Sequence, residues 1–312
     1  MSARAWLGVA AVLVLAACEQ TQPDPLAEVR QSCLGDGVEA EARLEACTVL
    51  IDSGTLNGAE RGDALAHRGA ASEEAGDVTA ALRDYRAALQ DAPDAMLAVR
   101  GQAAILIESG QLDAAEPLVQ RLVESGQFAA TAHFLSGEIS RKRGDIASAT
   151  AAYDRSIAAD SGYFESFAAR GSLKQDQADY AGAIEDYDRA LRLNPQLTPA
   201  LAGRCWSRVL MEDGDITAAR RDADAAATGN PRNVPAQLCR GLLQLRAGEW
   251  AGARASYEAA LDVEPGNPDA LFGRGVARRR GGDNAGREDM NRARDFSANI
   301  GRHFEELGVR TY

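Results

Sequence analysis

What most constrains the fold of this chain is that it repeats itself. Gly137-Glu138 and Gly144-Asp145 are echoed at Gly171 and Asp179, at Gly241 and Gly248-Glu249, and at Gly275 and Gly282-Asp283. The steps from Gly137 to Gly171 and from Gly241 to Gly275 are both 34 residues. A period of that size marks one supersecondary unit that cannot bury its apolar face alone, so successive units must stack. Other positions recur in register: Gly69, Gly76-Asp77, Ala81, Tyr85, Ala88 and Pro93; Ala183, Tyr187, Ala190 and Pro195; Ala253, Tyr257, Ala260 and Pro265. A small residue at the eighth position and Ala at the twentieth let two antiparallel helices approach, and the Tyr four residues on fills the gap. Gly-Asp between them ends one helix and caps the next. The Pro stops the second, because it cannot extend the hydrogen-bond ladder. An Ala-rich chain with only 5% aromatic residues suits helices packed through small side chains, which points to an all-α fold.

These positions resemble the tetratricopeptide repeat (TPR), and the resemblance spans Gly62 to Arg294. It implies an α-solenoid of helical hairpins in a right-handed superhelix with a concave groove. The expected organisation is a solenoid of about seven repeats over 62–295, a degenerate N-terminal capping hairpin over 26–61 and a C-terminal capping helix over 296–312. In the last segment Phe296, Ile300, Phe304 and Leu307 fall at helical spacing. Some units depart from the pattern. Met96–Ala129 has Ala103 and Val119 at the diagnostic positions, no terminal Pro, and Pro117 early in its second helix. The unit holding Trp206 gains two residues between Pro195 and Gly214 and has Ala223 where Tyr is expected. In the last unit Arg287 and Asn291 replace Ala and the aromatic, through either a register shift or a polar outer face.

The N-terminus reads as a secretory signal: Arg4, then an uncharged apolar run from Trp6 to Ala17. The run is too short to span a bilayer, which takes about 20 residues. It closes on Leu15-Ala16-Ala17-Cys18, which resembles the lipobox of bacterial lipoproteins. That resemblance implies cleavage after residue 17 and acylation of Cys18, palmitate included. Glu19 follows in place of the Asp associated with inner-membrane retention, implying the periplasmic face of the outer membrane. Residues 18–25, with Pro23 and Pro25, read as a lipidated tether.

Cys33, Cys47, Cys205 and Cys239 remain, an even number in an oxidising compartment where disulfides persist. Cys33 precedes the Gly35-Asp36-Gly37 turn and Cys47 lies on the next helix, so a bridge would staple the N-terminal hairpin. Cys205 and Cys239 hold similar places in adjacent repeats. The usual helix spacing of about 8–10 Å argues against the bridge that the even count favours.

A formal charge of -12 excludes nucleic acid as a partner, since phosphate binding needs surplus cations. His67, His133 and His303 are scattered over different units, and no catalytic triad, phosphate loop or metal-ligand spacing is present, so neither an enzyme, a cofactor nor a metal is expected. Asp and Glu read as a solvated face. By the TPR resemblance the groove is lined in the C-terminal half by Arg204, Arg208, Leu238, Leu242, Leu245, Arg246, Phe272, Val276, Arg279 and Arg280. Such a surface suits an apolar peptide carrying acidic residues, unless the C-terminal helix folds back over the same leucines. The resulting expectation is a scaffold or adaptor for other envelope proteins, anchored to the membrane by lipid. The competing expectation is a binder of a small molecule or peptidoglycan fragment in the same concavity.

Overall fold

Wherever the repeat places Gly-Asp, the chain turns sharply between two helices. A computed structural model describes residues 24–310; the stretch read as a secretory signal, and Cys18, lie outside the described residues. The described residues form seventeen α-helices and no strand, divided between two compact units with the boundary between Ala98 and Val99.

The first unit holds α1 (Ala27–Leu34), α2 (Ala40–Asp52), α3 (Gly58–Glu74) and α4 (Val78–Asp91). Here α1 packs on α2, α2 on α3, and α3 on α4. A disulfide joins Cys33 to Cys47 with their Cα atoms 4.6 Å apart, in a cluster with Leu50 and Ala64. The N-terminal hairpin is therefore covalently closed. Asn57 and Glu60 make a reciprocal capping box that starts α3.

The second unit contains most of α5 (Met96–Glu108), then α6 (Leu112–Ser125), α7 (Ala129–Lys142), α8 (Ile146–Ala159), α9 (Phe164–Asp176), α10 (Tyr180–Leu193), α11 (Thr198–Leu210), α12 (Ile216–Gly229), α13 (Val234–Ala247), α14 (Trp250–Val263), α15 (Pro268–Arg280), α16 (Gly286–Phe296) and α17 (Ile300–Glu306). From α7 onward each hairpin packs on itself and on the next, and α9, α11, α13 and α15 also touch in succession. This is a solenoid stack. Asp145, Asp179 and Asp215 each cap a second helix by accepting a backbone N–H three residues on. Gly144 enters such a turn at φ 79°; Ala178 adopts φ 61° in the corresponding place, where most L-residues are strained. Pro117 is deeper in α6 than expected, inside the helix beyond its first turn, so the hydrogen bond it would donate to residue 113 is missing.

The tyrosines do plug the hairpins. Tyr85 lies on Gly69, Tyr153 on Gly137, Tyr187 on Gly171 and Tyr257 on Gly241. Tyr187 and Tyr257 are held from the other side too, by Gly203 and Gly273 of the following repeat, where an added Cβ would overlap the ring. Their hydroxyls fare differently. Tyr85 donates to Glu73 at 2.6 Å, Tyr187 to Gln175 at 3.2 Å and Tyr153 to Glu138, whereas the fully buried Tyr257 hydroxyl has no partner. Leu245 stands where the other repeats place Glu73 and Gln175. Burial, and then the Asp269 carboxylate, push the Tyr257 phenol well above its usual pKa. Tyr257→Phe is therefore expected to be neutral or to stabilise by up to about 1 kcal/mol in urea unfolding, since it deletes an unsatisfied buried group. Tyr153→Phe removes a bond to a carboxylate and should lose about 1–2 kcal/mol.

Four aspartates expected on a solvated face are core residues. Asp84, Asp186, Asp222 and Asp289 stand one place before the plug position and are at most 5% exposed. Each takes a two-pronged hydrogen bond from the arginine one place before the small eighth residue: Arg68, Arg170, Arg204 and Arg274. In three repeats a second cation four residues on, Lys174, Arg208 or Arg278, closes on the same carboxylate. Burial alone would raise the Asp289 pKa; hydrogen bonds from Arg274 and Arg278 outweigh it and hold the carboxyl below its usual value.

The irregular units resolve individually. In the last, Gly286 and Met290 rather than Arg287 and Asn291 meet Gly275, so the departure is a one-residue register shift. The expected capping helix over 296–312 is shorter than its pattern: Phe296 ends α16 and is 63% exposed, and only 300–306 is helical. In the unit with Trp206, a disulfide joins Cys205 to Cys239, their Cα atoms 6.6 Å apart. Helix spacing is measured between axes, and facing Cα atoms each stand about 2.3 Å off theirs, so the spacing that argued against this bridge permits it. Cys205 holds the place of Gly171 and Gly241, and Cys239 that of Gly203 and Gly273. The sulfurs thus fill the gap that Ala223, in place of Tyr, leaves open.

Candidate functional site

Counted from the small eighth residue of each repeat, residues at the ninth and twelfth places of α7, the fifth, ninth and twelfth of α9, the second, fifth and ninth of α11 and the second of α13 line a cleft of about 400 Å³. Its floor is Ala168, Ala169, Ala202 and Gly203, over the Tyr187 ring. Pro199, Pro235 and the half-buried Trp206 form one wall, and Glu138 and Arg141 form the other. Small residues on adjacent first helices leave the concavity; larger ones would fill it.

The polar groups are held in place from behind. Arg141 forks onto Glu138 at 3.1 and 2.7 Å, and Tyr153 donates to the same carboxylate. This neutralises the wall while fixing its geometry. Gln175 Oε1 accepts from Tyr187 at 3.2 Å and from Ser207 at 3.1 Å, so what Gln175 offers a ligand is its NH2. Trp206 Nε1 donates to the Pro235 carbonyl at 2.9 Å, which leaves the indole face toward the cleft without an unmet donor. Apolar surface flanked by fixed amide and guanidinium groups suits an extended backbone with a bulky apolar side chain.

The residues expected to line a groove in the C-terminal half stand elsewhere. Leu242, Leu245, Phe272 and Val276 are at most 3% exposed and share one cluster with Ile300, Phe304, Leu307 and Val309; Leu238 packs against it. Phe272 and Phe304 rings lie 5.0 Å apart. The C-terminal helix folds back over these side chains, the occluded alternative of the two. Arg204 and Arg208 face α12 and hold Asp222, because the two extra residues of that unit lie after α11 and leave its register unchanged. Arg246, Arg279 and Arg280 are exposed, beyond the cleft. Trp206, Gln175, Ala168 and Ala202 were the residues that sequence reasoning missed. Counting from Gly171 and Cys205 in the regular register finds them all.

The tetratricopeptide repeat signature matches residues 69–128, 100–164, 206–255 and 238–288, and a second such signature matches 164–197. Among solved structures, the chain is similar to one chain of the APC/C hetero-tetramer Cut9-Hcn1, at 15% identity over 86% of this chain and 56% of that one, TM-score 0.61. It is also similar to pilF of Pseudomonas aeruginosa, at 16% identity over 69% and 96%, TM-score 0.55. A third likeness is to a tetratricopeptide repeat protein of Parabacteroides merdae, at 18% over 79% and 96%, TM-score 0.50. At these identities the likeness is one of fold. No curated protein sequence matches the chain.

Proposed function

Because the chain belongs to the tetratricopeptide repeat family, we propose that it is a non-catalytic scaffold or adaptor that holds an extended segment of a partner protein in the cleft between Arg141 and Pro235. The observation that carries this reading is the cleft itself, an apolar trough with pre-positioned amide and guanidinium groups. We read its setting as the bacterial cell envelope, with lipid on Cys18 tethering the chain to the periplasmic face of the outer membrane and other envelope proteins as partners. The lipobox resemblance at Leu15–Cys18 supports the anchor, and two disulfides support an oxidising compartment.

Capture from detergent-solubilised envelope tests both parts. Trp206→Ala should weaken retention of the partner about 30-fold, as expected for an aromatic anchor worth about 2 kcal/mol. Ala168→Glu, at a half-buried floor position, should do the same. Cys18→Ala should move the chain out of the membrane fraction. A partner held equally by both cleft variants would overturn the cleft reading, and a Cys18→Ala chain that stays with the membrane would overturn the anchor.

A further inference from the structure

We infer that the segment held in the cleft is uncharged and proline-rich, bound as a polyproline II helix; the inference rests on the cleft reading above and names the chemistry of its partner. What carries it is the hydrogen-bond inventory of the cleft, in which acceptors are engaged inside the fold while donors are left over.

Glu138 accepts from Arg141 through both oxygens, and from Tyr153 as well. Gln175 Oε1 accepts from the Tyr187 and Ser207 hydroxyls. Asn233 Oδ1 accepts the Ala236 N–H at 2.9 Å, capping α13, and the Pro235 carbonyl accepts Trp206 Nε1. The other ends of the two amides are uncommitted. Gln175 Nε2 and Asn233 Nδ2 form no hydrogen bond among the described residues, and both residues line the cleft. Arg141 keeps N–H groups beyond those given to Glu138. Only the hydroxyls of Ser172 and Tyr187 can act in either sense, and Tyr187 already donates to Gln175.

A ligand matched to such a lining presents carbonyl oxygens and turns no N–H toward it, because that N–H would be buried without an acceptor. Charge does not help it. Arg141 is already neutralised by Glu138, whose carboxylate would repel an anion, so neutral carbonyls fit better than a free carboxylate. Proline meets these terms residue by residue, with a carbonyl, no N–H and an apolar ring. A run of prolines also holds the polyproline II helix before it binds, so little conformational entropy is lost. The half-buried Trp206 indole beside a floor of Ala168, Ala202 and Gly203 makes the aromatic-walled trough on which such helices dock.

Isothermal titration of the full chain with N-acetyl hexaproline amide, N-acetyl hexaalanine amide and N-acetyl hexaalanine acid tests this. Saturable binding of the proline peptide is expected, with both alanine peptides at least about tenfold weaker, since each carries N–H groups that the cleft cannot satisfy. Asn233→Asp and Gln175→Glu each keep the acceptor used inside the fold and turn the free donor into an acceptor, so each should weaken hexaproline binding about tenfold. Equal binding of hexaproline and hexaalanine amides, tighter binding of the hexaalanine acid, or hexaproline binding unchanged in both variants would overturn the inference. If hexaproline fails to bind while Trp206→Ala still loses its envelope partner, the inference falls and the cleft reading stands. Hexaproline bound as tightly by Trp206→Ala as by the wild-type chain would sink both.

Discussion

Asp222→Ala is expected to destabilise the second unit by about 3–5 kcal/mol, the loss that follows when one partner of a buried ion pair is removed. Asp222 is 5% exposed and accepts from Arg204 Nε at 2.9 Å, Arg204 Nη2 at 2.6 Å and Arg208. Both guanidiniums are themselves mostly enclosed, their side chains 18% and 15% exposed. Deleting the carboxylate therefore leaves two largely enclosed cations facing one another, with only the more exposed Asp188 left beside them. Asp188 is the control. It also pairs with Arg204, but its side chain is 38% exposed, so Asp188→Ala should lose less than about 1 kcal/mol. Because stacked repeats need not unfold in one step, the measurement is hydrogen exchange. Amide protection should fall in α11 and α12 first for Asp222→Ala and stay near wild type for Asp188→Ala. Equal losses from the two would mean that burial does not set the strength of these pairs.

The same aspartates show how far the sequence can be read. Glycine, alanine and tyrosine at fixed spacing announce themselves, because each type has one packing reason to recur. Those residues gave the hairpins, the turns and the plugs. An aspartate does not, since an acidic residue on a helix is solvated by default, and only its pairing across the hairpin with Arg170, Arg204 or Arg274 identifies it as buried. The regular period holds that signal: arginine before the small residue and aspartate before the plug. The cleft was legible in the same way from its register. It was misplaced because leucines look like a binding surface until the helix that covers them is known, and α17 is too short and irregular to settle that from pattern alone. Its apolar residues Ile300, Phe304 and Leu307 are visible; where they dock is a tertiary fact. The Cys205–Cys239 bridge was hidden for a different reason. Its two cysteines occupy different repeat positions, and their meaning depends on the tyrosine that Ala223 replaces.

That substitution sets up the second large effect: replacing Cys205 and Cys239 together with alanine should cost about 4 kcal/mol, the chain-entropy value for a loop closed across 34 residues. The loss should be read as a lower midpoint in urea, reproduced by reductant under denaturing conditions in a chain that already lacks the Cys33–Cys47 bridge. The local packing adds a sharper expectation. At the neighbouring junctions a tyrosine ring fills the space between two glycines, Gly171 and Gly203 around Tyr187, and Gly241 and Gly273 around Tyr257. At this junction the two sulfurs fill it beside Ala219 and Ala223. Ring and bridge are thus alternative fillings of one space, and they exclude each other. Ala223→Tyr alone should destabilise by about 1–3 kcal/mol through overpacking against the disulfide. Combined with Cys205→Gly and Cys239→Gly, the same tyrosine should find the two-sided slot of its neighbours and recover most of the packing, though not the entropy of the closed loop. The triple variant should therefore be more stable than the double alanine variant, and indifferent to reductant at this junction. If the triple variant proved the weaker of the two, the slot would not be shared, and the bridge would be a local addition to the repeat rather than a substitute for its plug.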